Sequence, residues 1–377
     1  MWPRVLSLAA LVVVGFGAEL VHVQADDSGP TVAKFQLWRH GDRIPVRITK
    51  NDPNQESAWP LALGQLTTRG MEQLYKQGLR LKERYIDYLK FMNSSYNSKE
   101  MVVRSTDYDR TLTSAYSNLL GFYSNSSGSY PENSKNWPGG YSPIPVHTVN
   151  KTADHLLYIF RHCPRFVQLQ EEQRGNPIFQ RYMNKQKDFI DYISRMSGSP
   201  MTTLNLIHDF IDTAYIERLY NKTDSGLVDR RAGFGKAENV ELVKIQGGFL
   251  LKTMIENMIT VTKGNNLPRF HAYSAHDTTM FSFLRTLQAK IRILGPKNPD
   301  YGSMAVLELW KVKEAYHVRL LYAENADSQL KSHTGAISGC PEKSVLCPLE
   351  TFIKRSEKYI LHNPDEECQR KAVSRRQ

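Results

Sequence analysis

The chain has 377 residues, 41% hydrophobic and 23% charged, with 49 Lys and Arg against 38 Asp and Glu, a net charge of +11. That length allows about two domains of roughly 150 residues, or one large α/β domain with an insertion, and the composition excludes a disordered chain. The positive charges are scattered rather than gathered in one run, which argues against nucleic acid as a partner and suits a protein that draws in small anions.

The first residues read as an export signal: Arg4 supplies the basic start, Val5 to Phe16 the apolar stretch, and Val23 and Ala25 the small residues before a cut. The expected signal segment is 1–25, with a cut after Ala18 as the alternative. The apolar run is too short to span a bilayer, and no later stretch of spanning length occurs, so no membrane anchor is expected.

Thr31 to Trp38 has strand composition and runs into Arg39-His40-Gly41-Asp42-Arg43-Ile44-Pro45. Met101 to Val103 is a short β run ending at Arg104, and Thr106 to Phe122 then repeats apolar residues at helical spacing. From Asn125 to Gly140 the chain is rich in Ser, Asn, Pro and Gly and reads as loop. Between Asp154 and Tyr220 the spacing is mostly helical, with breaks at Pro164, Pro177 and Pro200. Glu238 to Val261 is a long helical pattern around Gly247-Gly248. Phe270 to Ala275 is a third β run, ending at His276 and followed by a helical Thr278 to Leu287. Ser303 to Trp310 and His317 to Tyr322 alternate as an antiparallel hairpin near the sheet edge.

Strands alternating with helices predict an α/β fold with a mixed, mainly parallel sheet flanked by helices and an inserted helical cap. The expected division is 31–124 and 236–368 for the core, with the cap at 125–235 and a C-terminal tail tied by disulfide. The three polar clusters fall at strand carboxyl ends, where ligands of such sheets sit, so they can meet in one crevice.

Four N-x-Ser/Thr sequons, at Asn93, Asn125, Asn150 and Asn221, predict glycosylation in an exported chain. Four cysteines without a CxxC pair, Cys163, Cys340, Cys347 and Cys368, suggest two disulfides in an oxidising compartment, with three pairings possible. A zinc site would need a His/Cys cluster that the spacing does not offer.

The segment from Arg39 to Pro45 is the most informative. Arginine offers a planar fork that matches two phosphate oxygens, and two arginines flank one histidine here. Gly41 lets backbone approach that imidazole, and a neutral histidine is a competent nucleophile at mildly acidic pH. An Arg-His pair alone is more often a surface pair; the full Arg-His-Gly-x-Arg-x-Pro spacing after a strand is far more specific.

That segment resembles the signature of the histidine acid phosphatase family. Arg104-Ser105-Thr106-Asp107-Tyr108-Asp109-Arg110-Thr111 is similar to the family's second arginine motif, and His276-Asp277 to its His-Asp pair. Pro143 to Val149, His162-Cys163-Pro164-Arg165-Phe166 and Cys347-Pro348-Leu349-Glu350 extend the likeness over about Lys34 to Cys368. Within the family the chain resembles the animal prostatic and lysosomal enzymes, whose third disulfide it lacks the cysteines to form. The membrane-spanning tail of the lysosomal type is not expected here.

The resemblance implies that His40 attacks phosphorus, that Asp277 protonates the leaving oxygen, and that Arg39, Arg43, Arg104 and His276 hold the phosphoryl oxygens. It implies no metal and no cofactor, because arginines supply the charge. It pairs Cys163 with Cys368 and Cys340 with Cys347, names small phosphate monoesters as substrates, and implies a homodimer. The expected place is the secreted or lysosome-like lumen. A phytase-like enzyme, a secreted binding protein on the same fold and a phosphomutase are the competing readings. Asp277 could instead only cap the helix that follows it. Asp42 reads as a solvated or salt-bridged neighbour, and His147, His155, His162 and His208 as structural or surface residues.

Overall fold

The computed structural model of the chain describes residues 31–124, 128, 130–139, 141–159, 163–222, 239–265 and 268–370. The expected signal segment, Asn125 and His162 lie outside them.

Three parallel strands form the centre: β1 (Thr31–Arg39), β2 (Met101–Ser105) and β3 (Phe270–Ala275), with β3 between the other two. An antiparallel hairpin, β4 (Met304–Val312) and β5 (Ala315–Ala323), adds to β1, and the short β6 (Lys331–Ser332) and β7 (Cys347–Pro348) both pair with β5. The hairpin expected from the alternation is therefore present, and its outer strand carries the small strands that end the sheet. The register aligns the strand ends that carry the polar clusters. Arg39 lies opposite Ala275, and Ser105 opposite Ser274, so the three parallel strands end side by side. The antiparallel pairing of β1 with β4 begins at Trp38 and Met304, which brings residues 299–303 to the same end.

Helices cover both faces. α1 (Thr68–Lys82) and α2 (Asp109–Phe122) pack against each other and over one face. Leu74, Leu81, Ala115, Leu119 and Phe122 join Trp38, Val103 and Phe270 in that layer. The helix predicted from Thr106 starts at Asp109, because Thr106 turns back to share a hydroxyl hydrogen bond with Thr111 at 2.8 Å.

Beyond the loop come α3 (Pro164–Arg174), α4 (Pro177–Lys185), α5 (Lys187–Ser197) and α6 (Leu204–Leu219). Pro164 and Pro177 open α3 and α4, where a missing N–H costs nothing. Pro200 lies between α5 and α6, and the Thr203 hydroxyl caps α6 by accepting from the Leu206 amide. α3 packs on the core side, where Phe166 and Leu169 meet Ile245 and Leu361.

The opposite face of the sheet is covered by α7 (Val240–Thr262) and α8 (Asp277–Thr286). Leu250, Leu251, Met254, Phe283 and Leu284 pack there against Phe35, Leu37, Leu307 and Leu320. Gly247 and Gly248 sit inside α7 because the backbones of Ser282 and Tyr359 press on it; a Cβ at Gly248 would stand 2.0 Å from the Tyr359 carbonyl. α9 (Lys290–Leu294), α10 (Leu349–Ser356) and α11 (Pro364–Gln369) complete the fold.

The cysteines pair as Cys163–Cys368 and Cys340–Cys347. The first spans 205 residues and ties the start of α3 to α11, a constraint worth about 2–4 kcal/mol in such loops. No helix among the described residues is long and apolar enough to cross a membrane.

Candidate active site

The residues after β1 are held rigidly. The His40 amide donates to the Ala275 carbonyl at 3.0 Å, and the Gly302 amide to the His40 carbonyl at 3.2 Å. Gly41 and Gly70 let this loop lie against the first turn of α1: a Cβ on Gly41 would meet the Gly70 carbonyl at 2.4 Å. The Asp42 amide donates to Gln73 Oε1 at 2.8 Å, while its carboxylate accepts from Thr67 Oγ1 at 2.7 Å and from the Tyr220 hydroxyl. Asp42 is thus a buried brace between α1 and the end of α6, not a solvated neighbour.

His40 is buried, and its Nδ1 lies 2.8 Å from the Gly41 carbonyl. A carbonyl only accepts, so Nδ1 carries the proton and the lone pair is on Nε2. Burial, then the charges of Arg110, Arg39 and Arg43, push the imidazole well below its ordinary pKa. Burial and the neighbouring cations thus favour the neutral imidazole.

Two buried arginines and a half-buried third act on it. Arg39 donates through Nη1 to the Pro299 carbonyl at 2.9 Å, pairs through Nη2 with Asp277 Oδ2 at 3.0 Å, and lies over the Tyr301 ring. Arg43 pairs with Asp212 of α6 at 2.7 Å. Arg110, in the first turn of α2, lies over the Tyr108 ring and has no carboxylate within ion-pair distance among the described residues. Burial and the charge of Arg43 lower its pKa to about 10. The Nε atoms of Arg39, Arg43 and Arg110 are buried without a hydrogen-bond partner. Orphaned buried donors on cations are costly, and an anion that accepts from them would recover that cost.

His276 is fixed by Thr106 Oγ1, 3.0 Å from its Nε2, with the rings of Tyr108 and Tyr158 against it. Burial and the Arg110 charge hold its pKa well below the usual value. The N-cap of α8 is His276, and Asp277 is the first helical residue, its Oδ1 accepting from the Thr278 amide at 2.7 Å. Burial favours the neutral acid at Asp277, but Arg39, His208 and Arg43 outweigh it and hold the carboxyl well below the usual range.

Arg39, His40, Arg43, His276 and Asp277 are therefore brought together. Arg104 is otherwise engaged: it pairs with buried Asp154 at 3.0 Å and donates to the Ser105 carbonyl, tying β2 to the segment that carries Asp154. Its place among the cations around His40 is taken by Arg110. Both arginines belong to the segment read as the second arginine motif. One local signal separates them. A cation in the first turn of a helix opposes the helix dipole, and such a breach of a local rule marks a functional position. Asp212, Tyr108 and Tyr158 carried no comparable signal.

A buried neutral imidazole facing three cations defines an anion-handling nucleophilic site at the carboxyl end of a mixed sheet. The profile of the histidine phosphatase superfamily (branch 2) matches residues 35–323, and the chain belongs to that family. It is 34% identical over 348 residues to the lysosomal acid phosphatase of Rattus norvegicus, covering 88% of this chain and 79% of that one. It is 33% identical over 348 residues to the prostatic acid phosphatase of Homo sapiens, covering 88% and 86%. Among solved structures, the fold is similar to a Hafnia alvei phytase in complex with tartrate, with a TM-score of 0.63 at 16% identity over 92% of this chain and all of the other. A Klebsiella phytase gives a TM-score of 0.61 at 18% identity, covering 91% and 98%.

Proposed function

We propose that the chain is an acid phosphatase that hydrolyses small phosphate monoesters through a phosphohistidine on His40. The observation that carries this reading is the tautomer of His40: with Nδ1–H held by the Gly41 carbonyl, the Nε2 lone pair is left among Arg39, Arg43 and Arg110. The acid phosphatase names of the relatives support the same activity.

In the first step Nε2 of His40 attacks phosphorus in line, the P–O ester bond breaks, and the leaving oxygen takes the proton of Asp277. In the second, water attacks the phosphohistidine, Asp277 accepts a proton from it, and His40 departs with its lone pair. Arg39, Arg43 and Arg110, with His276, face the charge spread over the phosphoryl oxygens. Arg104 has a positioning role through Asp154.

Asp277 is ionised while Arg39, His208 and Arg43 act on it unopposed. An incoming phosphate anion offsets those charges, which raises the acid's pKa where the proton is needed. Acidic solution favours that loading, and the depressed pKa of His40 keeps the nucleophile neutral there.

The reading places the protein in the secretory pathway, in the secreted or lysosome-like lumen. Its two disulfides suit an oxidising compartment, and Asn93, Asn150 and Asn221 are exposed for glycosylation. The homodimer that the family resemblance implies belongs to the same reading, and sedimentation of the secreted protein tests it.

The deciding experiment is a pH profile on 4-nitrophenyl phosphate, repeated with phytate. Turnover highest in acid, with phytate hydrolysed more slowly, is the expected result. Faster turnover of phytate would make it an inositol phosphate phosphatase, and no turnover of either would make it a binding protein.

A further inference from the structure

α6 lays one face against the segment after the nucleophile. Buried Asp212 pairs with Arg43, Asp209 Oδ2 lies 3.8 Å from Nε of Arg47, and Thr213 Oγ1 donates to the Arg47 carbonyl at 2.6 Å. His208 precedes Asp212 by four residues, one turn away on the same face. Asp212 is buried, whereas 45% of the His208 side chain reaches solvent, so this face runs from the floor of the site to its mouth.

The charges there do not cancel. Asp212 is balanced by Arg43, Asp277 by Arg39, and Asp209 by Arg47. His208 is the surplus cation when protonated, and its protonated form is favoured by Asp209, whose Oδ1 is 3.8 Å from Nδ1, and by Asp277 and Asp212, against the opposing effect of burial. Its charge, with those of Arg39 and Arg43, holds the Asp277 carboxyl down. Yet no hydrogen bond joins His208 to Asp277, whose oxygens are taken by Arg39 and the Thr278 amide. His208 thus acts on the proposed general acid through space rather than through a bond, and in the proposed mechanism Asp277 stands beside the leaving oxygen.

We propose that His208 is a specificity-determining residue whose imidazolium, at the cleft mouth across from Asp277, favours phosphate monoesters with a second anionic group on the leaving portion. The inference rests on the assignment of Asp277 as the group beside the leaving oxygen. The selectivity is present in acid and fades as the pH rises through the titration of His208, whose pKa is raised above 6.5. The groups that set this titration are Asp209 and Asp212 on α6 and Asp277 on α8; Arg43 and Arg47 stand as the partners of Asp212 and Asp209.

The test compares phenyl phosphate with 4-sulfophenyl phosphate, whose sulfonate is charged at every pH used, through the ratio of their kcat/KM values. For the wild type the ratio should favour the sulfonated ester in acid and fall as the pH is raised to about 9. His208→Ala should lower the acid ratio by about fivefold, and His208→Lys should keep it high at both ends of the range. A ratio that His208→Ala leaves unchanged, or a wild-type ratio that does not move with pH, overturns the inference while leaving the phosphatase reading intact. A folded wild type inactive on both esters overturns the catalytic reading and this inference with it.

Discussion

Two groups of cations sit on and just beyond strand β1, and they are treated in opposite ways. In mid-strand, Lys34 stands over the rings of Tyr85 and Phe270, its Nζ 3.4 Å and 4.1 Å from their centroids. Glu308, its partner across on β4, accepts from Arg84 at 2.9 Å, from the Tyr85 hydroxyl at 2.5 Å and from Trp310 Nε1 at 3.0 Å. Burial drives the Lys34 amine well below its ordinary pKa, with Glu308 opposing, so this cluster sheds or balances its charge. At the strand end, Arg39 and Arg43 have one carboxylate each and Arg110 has none among the described residues. Buried charge that is closed by partners holds a fold together, whereas buried charge left in surplus binds something. The same strand does both because its middle is covered on both faces, whereas its carboxyl end meets the partly exposed Asp277 and Arg110.

The strongest way to break this comparison is at the nucleophile. His40→Ala should lower turnover by at least about a thousandfold and leave no acid-labile phosphoenzyme after rapid quench, with the thermal midpoint little changed. Near-normal turnover in that folded variant would remove His40 from the chemistry. Asp277→Asn comes next: hydrolysis of alkyl phosphates should fall by about a hundredfold or more, and 4-nitrophenyl phosphate should suffer less in the phosphorylation step, because nitrophenolate leaves without a proton. Equal losses on both esters would point to a disturbed pocket rather than a lost acid.

The assignment of the third arginine can be sharpened with paired variants. Arg110→Lys keeps the charge but loses the fork, and should raise the inhibition constant of inorganic phosphate by about tenfold. Arg104→Lys should change it by less than about threefold. The reverse pattern would return the oxygen-binding role to Arg104.

The smallest effect on turnover should come from the mid-strand cluster. Glu308→Gln leaves Arg84 without its carboxylate and should cost about 3–5 kcal/mol of stability while sparing kcat below the melting range. Burial raises the Glu308 pKa, but Arg84 and Tyr85 outweigh it and hold the folded value below 4.5. The stability it contributes is thus full above that pH and lost as the pH falls through the folded pKa. Chemical denaturation of both proteins should show the gap narrowing in acid; a constant gap would mean that ionised Glu308 is not its source.

Much of the site was legible because its residues are adjacent in the chain to buried strands. Arg39-His40-Gly41-Asp42-Arg43 and His276-Asp277 each come directly after a short apolar run, and such runs end where a mixed sheet opens. α1 was harder to read: Gly70 and Gly78 interrupt its apolar spacing, and both are there to let other backbone come close. In β1, Lys34 and Gln36 alternate with apolar residues as on a solvated face, yet both are buried under α1 and α2.

Local sequence therefore marked the long strands, the breaks at Pro164 and Pro177 and the proposed nucleophile and acid, since each depends on neighbours within a few positions. Tertiary structure alone decided which arginine of the second motif meets His40. Arg104 and Arg110 are six residues apart and chemically alike, and only the parallel register of β2 with β3 and the packing of α2 on the sheet send one to Asp154 and the other to the site. It also decided that α6, some 170 residues beyond the nucleophile in the chain, supplies Asp212 and His208. Charge acts through space at distances the chain does not record, so its partners become known only when the fold has brought them together.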